Sequence, residues 1–462
     1  MSDHEPKATP EASSSRGLGP QDPVRRAAAA EQEWLAGVAG LPFAKRHWAY
    51  LRRGGPGYLQ SALTLGGGTA SACLLSGAAF GTQLLWVMPL GMLLGAVVFA
   101  AIAHQTLSSE CPPYAAMQRY AGRGFARCWA FGTILASLVW HFAQYSLASA
   151  VLQDLLRLFG WEVPRFAMGL LVLGWAVPTA LGYGRAGRLQ RVVEAVMRWL
   201  VWGVVLLFAV VALRVGSRDP AAVAAGFLPS LPPDRGDVAA LPVVLAGLAT
   251  AVGVNMTFLY PYSLRARGFG RAHREYARAD LVFGMVLPYV LATVLMVVVA
   301  AGTLHAGFSG RQIGPLEAAA TLEGLLGPWF GRFLFDLGIL GMVLTTITMH
   351  MVSAGLAAAE LAAVPLGSRR HQWLTLLPVP GVLGSVYWGS LSVWLAVPTS
   401  IVAGALLPVV YAGFWKLLRS RAYLGADRPS GLVGAVWQTA IALAIVVLAA
   451  FLALYLYQQF TT

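Results

Sequence analysis

The sequence predicts an all-α polytopic membrane protein: eleven transmembrane helices, arranged as a 5+5 inverted repeat plus one extra helix. Three observations carry that expectation. Charged residues make up only 11% of the 462 residues, hydrophobic types 57%, and mean hydropathy is +0.65. Apolar runs of about 20 residues, enough to cross a bilayer, recur along the chain without the alternation of a strand. Two of these runs, five apart in order, are weakened at their midpoints. The composition excludes a soluble enzyme, a disordered protein and a secreted disulfide scaffold. Cys73, Cys111 and Cys128 make no even framework and no metal-ligand spacing.

Taken in order, residues 1–33 are polar and rich in Ala, Pro, Ser and Glu. They read as a disordered cytoplasmic tail without a secretory h-region. Residues 34–56 mix apolar and basic side chains, an amphipathic approach to the inner membrane surface. Spans follow at 57–81, 84–107, 127–156, 166–183 and 190–214, the first repeat (57–214). The second repeat (238–416) has spans at 238–264, 279–303, 328–360, 372–388 and 391–416. The eleventh helix is 432–456.

The net charge of +13 is a topology signal. With the N-terminus inside, about 26 of the 33 Lys and Arg fall in inner segments. The inner clusters are Arg185, Arg188 and Arg191; Arg265, Arg267, Arg271, Arg274 and Arg278; and Lys416, Arg419 and Arg421. Eleven spans then put the C-terminus outside, in a bacterial-type inner membrane. The lipid bilayer accounts for the basic balance, so no nucleic-acid partner is needed.

The first span carries Leu65-Gly66-Gly67-Gly68-Thr69 at its middle. Each glycine costs a helix about 1 kcal/mol, so three together predict a break. Close helix packing is the other use of such glycines, and suits Gly77 and Gly81. The sixth span carries Gly253-Val254-Asn255-Met256-Thr257 and then Pro261. Unwound helices at matching places of two inverted halves form the substrate site of many secondary transporters.

Gly55-Pro56-Gly57-Tyr58-Leu59-Gln60-Ser61 ahead of the glycine break, then Gly77-Ala78-Ala79-Phe80-Gly81 before Leu84-Leu85-Trp86, resemble the Nramp family of proton-coupled divalent-metal transporters. The resemblance covers roughly residues 45–457. It implies the LeuT-type fold and alternating access, without a cofactor. It also implies where the family's ligands would stand. Gly66, Gly67, Gly68 and Thr69 occupy the positions of the family's Asp-Pro-Gly-Asn. Ala251 matches a carbonyl donor, and Val254 replaces a methionine. His141 and Gln144 replace the Asp and Glu of the proton route.

The metal-binding carboxylate and thioether of the family are therefore missing at their positions. A dehydrated divalent ion at the membrane midplane needs compensating negative charge, and Gly66 supplies none. The expected substrate-facing residues are Gly66, Gly67, Thr69, Ala251, Val254, Asn255 and Thr257, with His141 and Gln144 in the coupling role. The resemblance implies a divalent metal ion as substrate, with Met256, His141 or solvent supplying ligands in place of those missing. The residues alone also admit a small organic solute, an anion, a monovalent ion, or a sensor that kept the fold. His141 is either a proton-coupling group or a neutral core histidine. His104 and His350 are secondary candidates. Glu194 with Arg198, and Arg332 with Asp336, are expected as i,i+4 ion pairs. Tyr145, Tyr260 and Tyr262 could line a pathway, while Trp86 and Trp394 suit interface or packing positions.

Overall fold

The computed structural model describes residues 23–183, 188–215, 219–310, 329–387 and 404–461. Among them the secondary structure is helical, apart from one isolated bridge between Arg235 and Val238. Eight helices are long and apolar enough to cross a membrane, and a bent helix pair brings the number among the described residues to nine. The part of the chain assigned to the ninth and tenth spans lies partly in 388–403, outside the described residues, and so does Trp394.

Residues 1–22 of the expected tail lie outside the described residues, and residues 23–33 are helical. Helix α1 (Pro23–Ala39) and helix α2 (Phe43–Arg53) are separated at Gly40–Pro42. Glu31, Leu35 and Val38 recur at helical spacing and are buried, so α1 has a face to dock. The Trp34 ring packs against Tyr276 and Tyr50, at centroid distances of 5.2 and 6.1 Å. On α2, Phe43 and Trp48 remain exposed.

Helix α3 (Pro56–Thr64) starts with proline at its first turn, where no amide partner is required. Helix α4 (Gly67–Phe80) resumes at a 54° angle to it. Helices α5 (Val87–Ser108), α6 (Arg123–Arg157), α7 (Arg165–Gly182) and α8 (Arg188–Val215) follow. Helix α9 (Ala240–Ala251) and helix α10 (Val254–Ala266) form one interrupted span, with Val252 and Gly253 in extended backbone between them.

Helix α11 (Arg271–Thr303) contains a π-helical stretch, Leu281–Val286. Pro288 follows it and offers no N–H to the preceding turn, a local reason for the widened helix. Helix α12 (Phe330–Leu361) runs against α6 along much of its length. The continuous span expected at 372–388 is interrupted. A short helix, α13 (Arg369–Thr375), gives way to a 3₁₀ turn at Val379–Leu383. Pro378 and Pro380 break the helix there. Helix α14 (Leu407–Arg419) precedes α15 (Gly431–Thr461), which is largely exposed along one apolar face and packs on α5 and α14.

Two expected pairings are corrected. Glu194 pairs with Arg267, not Arg198; Arg198 donates to the Arg52 carbonyl at 2.9 Å and lies over the Tyr58 ring. Arg332 pairs with Asp154 rather than Asp336. In both cases a partner from another segment of the chain takes the place of the i+4 residue.

Candidate functional site

The break in the first span lies at Leu65–Gly66, between α3 and α4. Its freed backbone groups are largely satisfied by side chains. Gly67 N–H donates to Gln144 Oε1 at 3.0 Å, so Gln144 on α6 caps the start of α4. Thr345 and Thr346 on α12 donate to the Ala62 carbonyl at 3.0 and 3.2 Å. The Thr69 hydroxyl donates to the Thr64 carbonyl at 2.6 Å. Across the gap, the Thr64 hydroxyl reaches the carbonyls of Thr250 and Ala251 at 2.8 and 2.9 Å. The two interrupted helices are thus bonded to each other at their breaks.

Glycine serves close approach here as well as unwinding. A Cβ on Gly66 would lie 2.6 Å from Thr346 Oγ1 and 3.2 Å from Gln144 Nε2. A Cβ on Gly68 would run into the Trp140 ring.

A cavity of about 40 Å³ opens at the break. It has room for an ion and about two waters. Its wall includes Gly66, Gly68, Thr69, Gln144, Asn255, Met256, Thr346 and His350, and among the described residues no carboxylate lines it. Four of the expected residues are therefore on the wall: Gly66, Thr69, Asn255 and Gln144. Gly67, Ala251, Val254, Thr257 and His141 are buried and are not among the residues of the wall. The Ala251 carbonyl is engaged by Thr64. The Thr257 hydroxyl donates to the Val254 carbonyl at 2.6 Å and accepts from Trp129 Nε1 at 2.9 Å.

Two further wall residues, Met256 and His350, are ones the sequence offers only as secondary candidates. Met256 brings a thioether to the cavity, and its sulfur accepts the Gly253 N–H at 3.2 Å. The resemblance placed the family's methionine two residues earlier, at Val254. His350 enters from α12, and its only sequence signal is a histidine within an apolar span. Among the described residues no group of three or more His, Cys, Asp or Glu could hold a metal ion.

The N-terminal end of α3 is tied down by charge. Gly57 N–H donates to Asp280 at 2.6 Å, and side chains at Gly55 or Gly57 would collide with Asp280. Arg267 bonds the Gly54 carbonyl at 3.0 Å and pairs with Glu194. Burial opposes the charge on Arg267, but Glu194 beside it more than offsets this and raises its pKa. Arg53 pairs with Glu31 on α1 at 2.7 Å. Tyr262 donates to Glu360 at 2.7 Å, Tyr260 packs on Phe99, and His104 bonds the Asp427 carbonyl at 2.8 Å. Trp86 donates to the Ser230 carbonyl at 3.1 Å.

Two interlocked interrupted helices, crossed by long helices from each half, define a polytopic membrane protein of the LeuT-type fold. Solved structures share it. A mutant manganese transporter of Eremococcus coleocola aligns with TM-score 0.69 and 17% identity, over 88% of this chain and 87% of that one. MhsT in complex with L-phenylalanine aligns at TM-score 0.57 and 13% identity, over 86% and 98%. Mhp1, a nucleobase-cation-symport-1 family transporter with bromovinylhydantoin bound, aligns at 0.54 and 12%, over 86% and 92%. No curated protein matches the chain. The sequence model of the Nramp family, natural resistance-associated macrophage protein-like, matches residues 57–458. The chain belongs to that family, as an integral multi-pass membrane protein.

Proposed function

We infer that the chain is an Nramp-type metal-ion transporter working by alternating access, with its substrate site at the paired helix breaks. The observation that carries this reading is the cavity at the break, walled by both interrupted helices and by α6 and α12. Its small volume favours an ion over an organic solute. Its donors are neutral: amides, hydroxyls, a thioether and an imidazole. Such a set tolerates a low ionic charge far better than a dehydrated divalent ion.

The lysine and arginine distribution supports a cytoplasmic N-terminus and an outer C-terminus. Residues 57–214 and 238–416 act as the two repeats and 432–456 as the added helix. His141 takes the coupling role, because a proton on its ring and a cation beside it repel each other. Gln144 has no titrating group and holds the break open by capping α4.

Reconstitution in liposomes tests the proposal. Uptake of a panel of mono- and divalent metal ions should show one saturable substrate class. Absence of flux for every ion, with the protein folded and correctly inserted, would overturn it in favour of a sensor.

A further inference from the structure

His350 lines the cavity, and His141 stands beside it on α6 with ring centroids 6.1 Å apart. The side chains are 3% and 0% exposed. Neither ring nitrogen of His141 has a hydrogen-bond partner, nor does Nδ1 of His350. The Tyr145 ring meets His141 edge-on at 5.2 Å, and its hydroxyl is unpartnered too. A buried polar group without a partner costs about 1–3 kcal/mol. Three unpartnered nitrogens on two adjacent rings are a cost that folded proteins ordinarily avoid, so the pair calls for a guest.

We propose that His141 and His350 form a two-nitrogen site for a soft, singly charged d¹⁰ metal ion of the Cu(I) or Ag(I) kind, with the Met256 thioether as the donor met on the cavity wall. The proposal rests on the break cavity being the substrate site. Three arguments select this class. Imidazole and thioether are donors that soft metals favour. Among the described residues every donor on the wall is neutral and no carboxylate lines the cavity. Because the Born cost rises with the square of the charge, one charge is much easier to hold there than two.

The third argument is spacing. A ring nitrogen lies about 1.1 Å from its ring centre and a metal–nitrogen bond is about 2.0 Å. A linear N–metal–N unit therefore spans about 6 Å between centroids, close to the 6.1 Å seen here. Tetrahedral divalent sites want three or four ligands, and the described residues offer no such cluster.

Silver titration of the purified full chain in detergent tests the site, since Ag(I) mimics Cu(I) and does not change redox state. Wild type should bind one equivalent that His141→Gln and His350→Gln each lose, with affinity falling at least tenfold. His371→Gln, in the short helix α13, should keep it. X-ray absorption of the one-equivalent complex should show two nitrogen neighbours. Equal silver binding by wild type and both folded variants would overturn the proposal. Should the variants fail to fold, a sulfur-only shell around silver in wild type would overturn it. Binding is read without transport, so a failed flux experiment with silver bound as described would refute the transporter reading and leave the site standing.

Discussion

Restoring a carboxylate at the first break probes both the packing and the chemistry of the site. Gly66→Asp puts a side chain where the nearest atoms are Thr346 Oγ1 at 2.6 Å and Thr346 Cγ2 at 3.0 Å from the new Cβ. Real Cβ contacts are not that short, so Thr346 must move. It is held by its bond to the Ala62 carbonyl at 3.2 Å and to the Met342 carbonyl at 2.8 Å. Overpacking of this kind costs about 1–3 kcal/mol, and losing the Thr346 bonds adds about 1 kcal/mol. The single variant is therefore expected to be about 2–4 kcal/mol less stable than wild type.

Thr346→Ala in the same chain removes both clashing atoms. The double variant should recover most of the loss and acquire saturable Mn²⁺ binding, because the cavity then holds an anion. Thermal unfolding in detergent and calorimetric Mn²⁺ titration read the two effects. Wild-type stability in Gly66→Asp alone would refute the packing argument. A well-folded double variant blind to Mn²⁺ would refute the claim that the missing carboxylate sets the ion's charge.

Three other perturbations have defined outcomes. Thr64→Val removes the hydroxyl that links the two breaks and leaves two buried carbonyls one partner short; a loss of about 1–3 kcal/mol is expected in thermal unfolding, and no change would mean the bond is incidental. Glu194→Ala leaves the buried Arg267 without its close partner, a defect worth about 3 kcal/mol that should show as a lower melting temperature rescued in part by Arg267→Met. Asp427 has its pKa lowered chiefly by its bond to Arg274. A depressed carboxylate stabilises above its unfolded pKa and loses that effect as pH falls through its lower folded value. The wild-type melting temperature should therefore drop on acidification below about pH 4 by slightly more than that of Asp427→Asn, and parallel curves would remove Asp427 from the account.

Much of the fold was legible because long apolar runs and glycine punctuation are local properties. The break at Gly66 and the interruption at Gly253 lie where Leu65–Thr69 and Gly253–Thr257 pointed. Other features were not local. Whether Glu194 pairs with Arg198 or Arg267 depends on which helix comes alongside, and spacing alone favours the wrong one. Pro378 and Pro380 could have signalled the interruption in 372–388, but the apolar composition of the run outweighed them. The docking of α1 depends on Glu31, Leu35 and Val38 finding a surface made by residues far along the chain.

The site was legible in part for the same reason. Gly66, Thr69, Asn255 and Gln144 reach the cavity wall, whereas alignment by family position points to Val254, and Met256 two residues on is the one that lines the cavity. A helix advances about 100° per residue, so a shift of two at a break decides which side chain faces the cavity. His350 could be placed beside His141 only once α12 was seen to run along α6.

The most direct test of transport at this break is uptake by reconstituted wild type and Met256→Leu, a swap that keeps volume and removes the thioether. Silver and Mn²⁺ would each be supplied outside the liposomes and counted inside by elemental analysis. Wild type should accumulate Ag⁺ saturably and without competition from excess Mn²⁺, and Met256→Leu should lose at least tenfold of that rate while remaining folded. Saturable Mn²⁺ uptake by wild type that Met256→Leu leaves unchanged would contradict a neutral, thioether-lined site as the substrate path.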